Sequence, residues 1–257
     1  MGERIEIEGG SVRLFRTSGQ ETVLDRAVSL KAFLQALPQV TPAFQRLPLL
    51  PVGTRWVVNR GPSLLLTVEQ PPQVRRFAWR PKGDREVRDY SLAFPYILYL
   101  LLFAQGSFEE MRIYYRTAPL TSAEDLLYLS NLWNVSATET PMAKCRACLR
   151  GRPSFEDLSL AGQVQTTIEF FWGTGFNLQI EESCFQRAAK RDERIATLEA
   201  WEAASREDPL FPLEVDWESA GMSLRGAAEG LLTWRGTPPP IEDTADLVDL
   251  LYRVKEG

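Results

Sequence analysis

The chain has 257 residues, of which 44% are hydrophobic and 25% charged, and its net charge is −5. That is enough apolar material for a sizeable core in one large domain or two small ones, and the acidic balance disfavours a general nucleic-acid binder. Histidine is absent, which excludes Ser-His-Asp and Cys-His catalysis and His-ligated metal sites. Any acid–base chemistry falls to carboxylates, tyrosine, lysine or cysteine.

The first ten residues, MGERIEIEGG, carry no apolar h-region, so no secretory signal is expected. Ile5 and Ile7 alternate with glutamates, and Val12 and Leu14 flank Arg13 beyond Gly9-Gly10, which predicts a hairpin. Leu30, Phe33, Leu34 and Leu37 at helical spacing after Ser29 predict a capped helix closed by Pro38. Strand-like runs follow at Thr54–Val58, Leu64–Glu69 and Val74–Trp79, punctuated by Gly61-Pro62 and Pro71-Pro72. The apolar run Leu92–Ala104 contains Pro95 and is too short for a membrane helix, which needs about 20 residues. It reads as a buried strand. In MRIYYR, Met111, Ile113 and Tyr115 share one side, with Arg112, Tyr114 and Arg116 on the other. The interleaved arginines and aromatics read as the outer face of a sheet.

Beyond residue 151 the apolar period lengthens. Leu160, Val164, Ile168 and Phe171 form a helical stripe that ends near Gly173 and Gly175. A second helix is expected from about Glu182 to Arg206, with Phe185, Ala188, Ile195, Leu198 and Trp201 inward. Pro238–Pro240 read as a stiff linker, and Leu247, Leu250, Leu251 and Val254 as a C-terminal amphipathic helix. The fold class expected is therefore α+β: an antiparallel meander of roughly four to six strands with flanking helices and a helical C-terminal third. The expected division is a core domain of residues 1–177 and a helical extension, 178–257, packed on it.

Cys145, Cys148 and Cys184 are the three cysteines. An odd count with a close pair fits a disulfide framework poorly and points to a reducing, cytoplasmic setting. Cys145-x-x-Cys148 offers two zinc ligands and Cys184 a third, but no histidine completes the set. A redox pair would follow a strand and open a helix in a βαβ setting, which the preceding meander lacks. Two buried structural cysteines are the plain alternative. Gly173-Thr-Gly175 is no dinucleotide fingerprint, having no preceding strand and no third glycine in place. No cofactor is called for.

The strings MRIYYRTAPL, NLWNVS and CRACLRG, through Pro119, Leu120, Asn134, Val135, Cys148, Leu149 and Gly151, resemble the core of ubiquitin-conjugating enzymes. The closer similarity is to their bacterial relatives, the PRTRC-type protein B group; the later FFWGTGFN is similar to an aromatic-rich segment there. The resemblance spans roughly residues 54–177. It implies a ubiquitin-conjugating-like fold and a transferase that carries a ubiquitin-like modifier as a cysteine thioester, with that modifier and an activating enzyme as protein partners. Cys148 would be the nucleophile and Asn134, or Asn131, the oxyanion donor. Cys145 belongs to the same candidate site, though without the following Leu–Gly neighbours it reads as a packing residue. Arg146, Arg150 and Arg152 would favour the thiolate of either cysteine.

Three departures stand out. Leu132-Trp133 replace the family's His-Pro, Arg150 interrupts the Leu149–Gly151 string, and Cys145 is an extra cysteine. They keep a second reading open: a non-catalytic interaction or assembly subunit in which the cysteines are structural.

Overall fold

The computed structural model describes residues 2–19, 21–36, 49–80, 87–136, 145–149, 151, 153–177, 183–234, 247–248 and 251–252. The chain forms two units: Met1–Phe44 with Thr237–Gly257, and Gln45–Gly236. Both sides of the expected 177/178 division therefore fall in the same unit, and the chain divides near 44 and 237 instead.

The smaller unit is a three-stranded antiparallel sheet, β1 (Gly2–Glu8), β2 (Ser11–Ser18) and β3 (Glu21–Ser29), followed by α1 (Leu30–Ala36). β1 and β2 are the expected hairpin. Ser29 Oγ accepts from the Ala32 N–H at 3.1 Å, the cap expected from the sequence. Val12, Leu14, Val28 and Phe33 make a small core with Val248 and Leu251. The last two lie in helical conformation, as expected for the C-terminal stripe; Leu37, Pro38, Pro238–Pro240, Leu250 and Val254 lie outside the described residues.

The larger unit centres on a six-stranded antiparallel sheet in the order β11-β10-β9-β8-β5-β4. Its strands are β4 (Thr54–Arg60), β5 (Ser63–Gln70), β8 (Tyr96–Ala104), β9 (Ser107–Arg116), β10 (Leu126–Leu129) and β11 (Ser219–Ser223). Gly53 (φ +83°) enters β4 where a Cβ would lie 2.4 Å from the Glu69 carbonyl oxygen, a space open only to glycine. β6 (Gln73–Trp79) and β7 (Arg88–Phe94) leave the meander as a separate two-stranded sheet. The expected single strand Leu92–Ala104 is thus two strands in two sheets. Pro95, without an N–H for a ladder, sits at the break.

Helices α2 (Leu160–Gly173), α3 (Cys184–Ala189), α4 (Leu198–Glu207) and α5 (Leu224–Trp234) complete this unit. The α2 stripe buries Val164, Ile168 and Phe171 as expected. The single helix expected from Glu182 to Arg206 is instead α3, a short 3-10 turn at Glu193–Ile195, and α4. Two local caps compete with continuity: Asp192 accepts from the Arg194 N–H, and Thr197 Oγ1 from the Ala200 N–H. Ala188, Ile195, Leu198 and Trp201 still face the core, with Phe185 packed against it. The C-terminal third is not wholly helical, because β11 extends the sheet by pairing with β10.

β8 and β9 are buried on both faces. α4 covers the edge of β7: Glu202 accepts from the Ser91 N–H, Ser205 Oγ from the Ala93 N–H, and Trp201 Nε1–H donates to the Ala93 carbonyl. Phe171, Trp172 and Phe176 belong to this core. Among the described residues no helix is long and apolar enough to cross a membrane.

Candidate functional site

β10 ends at Leu129, and the chain turns through Leu132–Val135, where the Val135 N–H donates to the Leu132 carbonyl. Trp133 anchors this turn. Its fully buried ring lies 5.1 Å from Phe77, 5.3 Å from Trp79 and 4.8 Å from Phe185. This chain thus holds its loop by burying a large aromatic ring.

Cys145 turns the chain, and residues 146–147 return as a short extended stretch between β9 and 135–136. The Ile113 N–H donates to the Cys145 carbonyl, and the Ala147 N–H to the Met111 carbonyl. On the other side Val135 pairs with Ala147, and the Ser136 N–H donates to the Arg146 carbonyl. This ladder brings two predicted residues together: the Cys148 N–H donates to the Asn134 carbonyl at 2.8 Å.

The cysteines have different surroundings. Cys145 is fully buried with φ +63°, a left-handed conformation uncommon outside glycine. Cys148 is partly exposed, whereas Cys184 is buried and its Sγ–H donates to Asn131 Oδ1 at 3.1 Å. All three cysteines are free, so Cys145 and Cys148 form no disulfide. Among the described residues no three Cys, Asp or Glu side chains gather into a metal-binding group.

Asn134 is buried, and its Nδ2–H donates to Thr174 Oγ1 and to the Gly175 carbonyl, both at 3.4 Å. That segment lies along β6: Trp79 pairs with Phe176 in parallel, and the Phe176 N–H donates to the Ala78 carbonyl. The two expected asparagines therefore spend their side chains on packing contacts, Asn131 on Cys184 and Asn134 on the α2 exit.

The face of β9 expected to be exposed is not. Arg112 and Glu110 are both about 1% exposed and bonded at 3.0 Å, so each charge is matched where it is desolvated. Tyr114 is also buried, and burial, with Cys145 beside it, pushes its hydroxyl well above the ordinary tyrosine range. Arg146 Nε stands 3.8 Å from Glu110 Oε2, so the expected cationic neighbour of the cysteines is directed at a carboxylate. Arg150 and Arg152 lie outside the described residues. An open groove of about 330 Å³ is lined by Phe108, Glu110, Met111, Arg146, Ala147 and Leu149, and Cys148 is not part of its lining.

Sequence reasoning missed Glu110, Trp133 and Thr174. The Glu110-x-Arg112 spacing on a strand was a readable signal for a same-face ion pair. Trp133 and Thr174 stood in strings already noted, but nothing local marked the buried ring of the first or the Asn134 contact of the second. No family model matches this chain, and neither a curated protein nor a solved structure matches it.

Proposed function

We propose that this chain carries an acyl group, of the ubiquitin-like-modifier kind, as a thioester on Cys148. The observation that supports this reading is the hydrogen bond from the Cys148 N–H to the Asn134 carbonyl. It joins the two residues paired by the ubiquitin-conjugating resemblance, and Cys148 is the one cysteine of the three that is not buried. The Cys148 thiolate attacks the carbonyl carbon of an incoming thioester. The bond to the donor sulfur breaks, and the donor leaves as a thiol carrying the proton that Cys148 lost. An amine then displaces Cys148, forming an amide and returning the thiol. Asn134 supplies an oxyanion donor by turning its amide from the long contacts to Thr174 and Gly175.

Those same contacts favour a second reading, a non-catalytic assembly subunit with structural cysteines. The two separate on incubation with a peptide α-thioester ending in Gly-Gly, followed by intact-mass measurement. The carrier reading expects one adduct on Cys148, cleaved by reductant, retained in Cys145→Ser and lost in Cys148→Ala. Cys148→Ser is expected to hold a reductant-resistant ester, because an alkoxide leaves less readily than a thiolate. Asn134→Ala should load normally yet discharge to amine about 10²–10³-fold more slowly. No adduct on folded protein, with Cys148 inert to alkylation, would leave the assembly reading.

A further inference from the structure

A small cavity of about 10 Å³ lies between the end of β10, α3 and the segment leading into β11, lined by Leu129, Asn131, Arg187, Ala188, Trp217 and Glu218. That is room for about one water-sized body. Its polar lining is dominated by donors. Asn131 is 7% exposed, and its Oδ1 accepts from Cys184, which leaves Nδ2 without a partner. Arg187 Nε and Nη1 are buried and make no hydrogen bond among the described residues, where Nη1 has the Glu218 carboxylate at 3.8 Å. Buried donors of this kind call for an acceptor.

We propose that this cavity binds a single-atom hydrogen-bond acceptor, a halide ion or a water molecule, held between Asn131 Nδ2 and Arg187. A halide adds to the partial neutralisation of the guanidinium by Glu218. A water accepts from Asn131 and Arg187 and donates to Glu218. Either ligand ties α3 to the loop that carries Asn134, three residues beyond Asn131. The inference is independent of the thioester reading, since Cys148 takes no part in it.

Crystals grown in sodium bromide, measured at the bromine absorption edge, test it directly. An anomalous peak within hydrogen-bonding distance of Asn131 Nδ2 and Arg187 is expected for a halide. In solution its counterpart is an unfolding temperature that rises with bromide more in the wild type than in Asn131→Asp at the same salt concentration. A peak without that rise is binding at crystal concentration only and overturns the halide form. An ordered water bridging the same atoms, with no bromide peak, supports the water form. Asn131→Asp gives Arg187 an acceptor from the chain itself, and is expected to abolish the bromide peak and the bromide-specific rise while preserving the fold. A dry cavity in which the Asn131 amide is turned to face Arg187 with its oxygen overturns the proposal in both forms.

Discussion

The three-stranded and the six-stranded sheets of this protein are built on opposite plans. In the three-stranded sheet, β2 buries Val12 and Leu14 and leaves its other residues partly or fully accessible, and its core draws on Val248 and Leu251 from the far end of the chain. In the six-stranded sheet, β8 and β9 are covered on both faces, and one contiguous core extends from Leu65 to Leu232. A one-sided sheet writes its burial into sequence as alternation; a two-sided sheet does not. The first depends on a few side chains, and the second spreads its stability over many.

The largest expected effect tests the second plan. Trp201 is fully buried, lies 5.4 Å from the Phe94 ring and 6.0 Å from that of Trp217, and donates to the Ala93 carbonyl. Trp201→Ala should cost about 3–5 kcal/mol, read as a lower denaturant midpoint at unchanged slope. A cost below about 1 kcal/mol would show that this core collapses around the gap.

Leu251→Ala tests the first plan, with an expected cost of about 2–3 kcal/mol. The loss should stay local: amide exchange accelerates across β1–β3 and is unchanged in β8 and β9. Equal acceleration in β8 and β9 would mean that the two cores unfold as one.

The smallest effect concerns a loop of the larger unit. Asp125 accepts from the Thr121 and Ser122 N–H groups and pairs with Arg116 at 3.1 Å. The Thr121 backbone bond is the leading cause that holds its carboxyl below the usual aspartate range. A depressed folded value contributes stability above the unfolded value near ~3.9, and that stability is lost as pH falls through the folded one. Asp125→Asn should therefore lower the unfolding temperature at pH 7, by about 1–2 kcal/mol in stability. The gap to wild type should narrow as pH falls below about 4. A gap that persists at lower pH would assign the loss to geometry and not to charge.

How much of this was legible follows from the same contrast. The β1–β2 hairpin, the Ser29 cap and the α2 stripe rest on neighbours within a few residues, and each appears as read. The candidate site was half legible. Short strings singled out Asn134 and Cys148, which the ladder joins, but not the side-chain contacts that hold Asn134 on Thr174 and Gly175. Those partners lie 40 and 41 residues away, where no local period reaches.

Composition and periodicity by themselves determined that this chain is α+β, that its strands are antiparallel, and which apolar residues seek a core. Tertiary structure decided which strands share a sheet, sending β7 and β8 apart at Pro95 and drawing β11 in beside β10. It also decided that Arg112 is buried, because Glu110 on the same face offsets its desolvation. Periodicity records only which side of an element is apolar. What covers that side depends on partners brought together by the chain's long-range course, and their matching charges and shapes choose among the arrangements that local pattern allows.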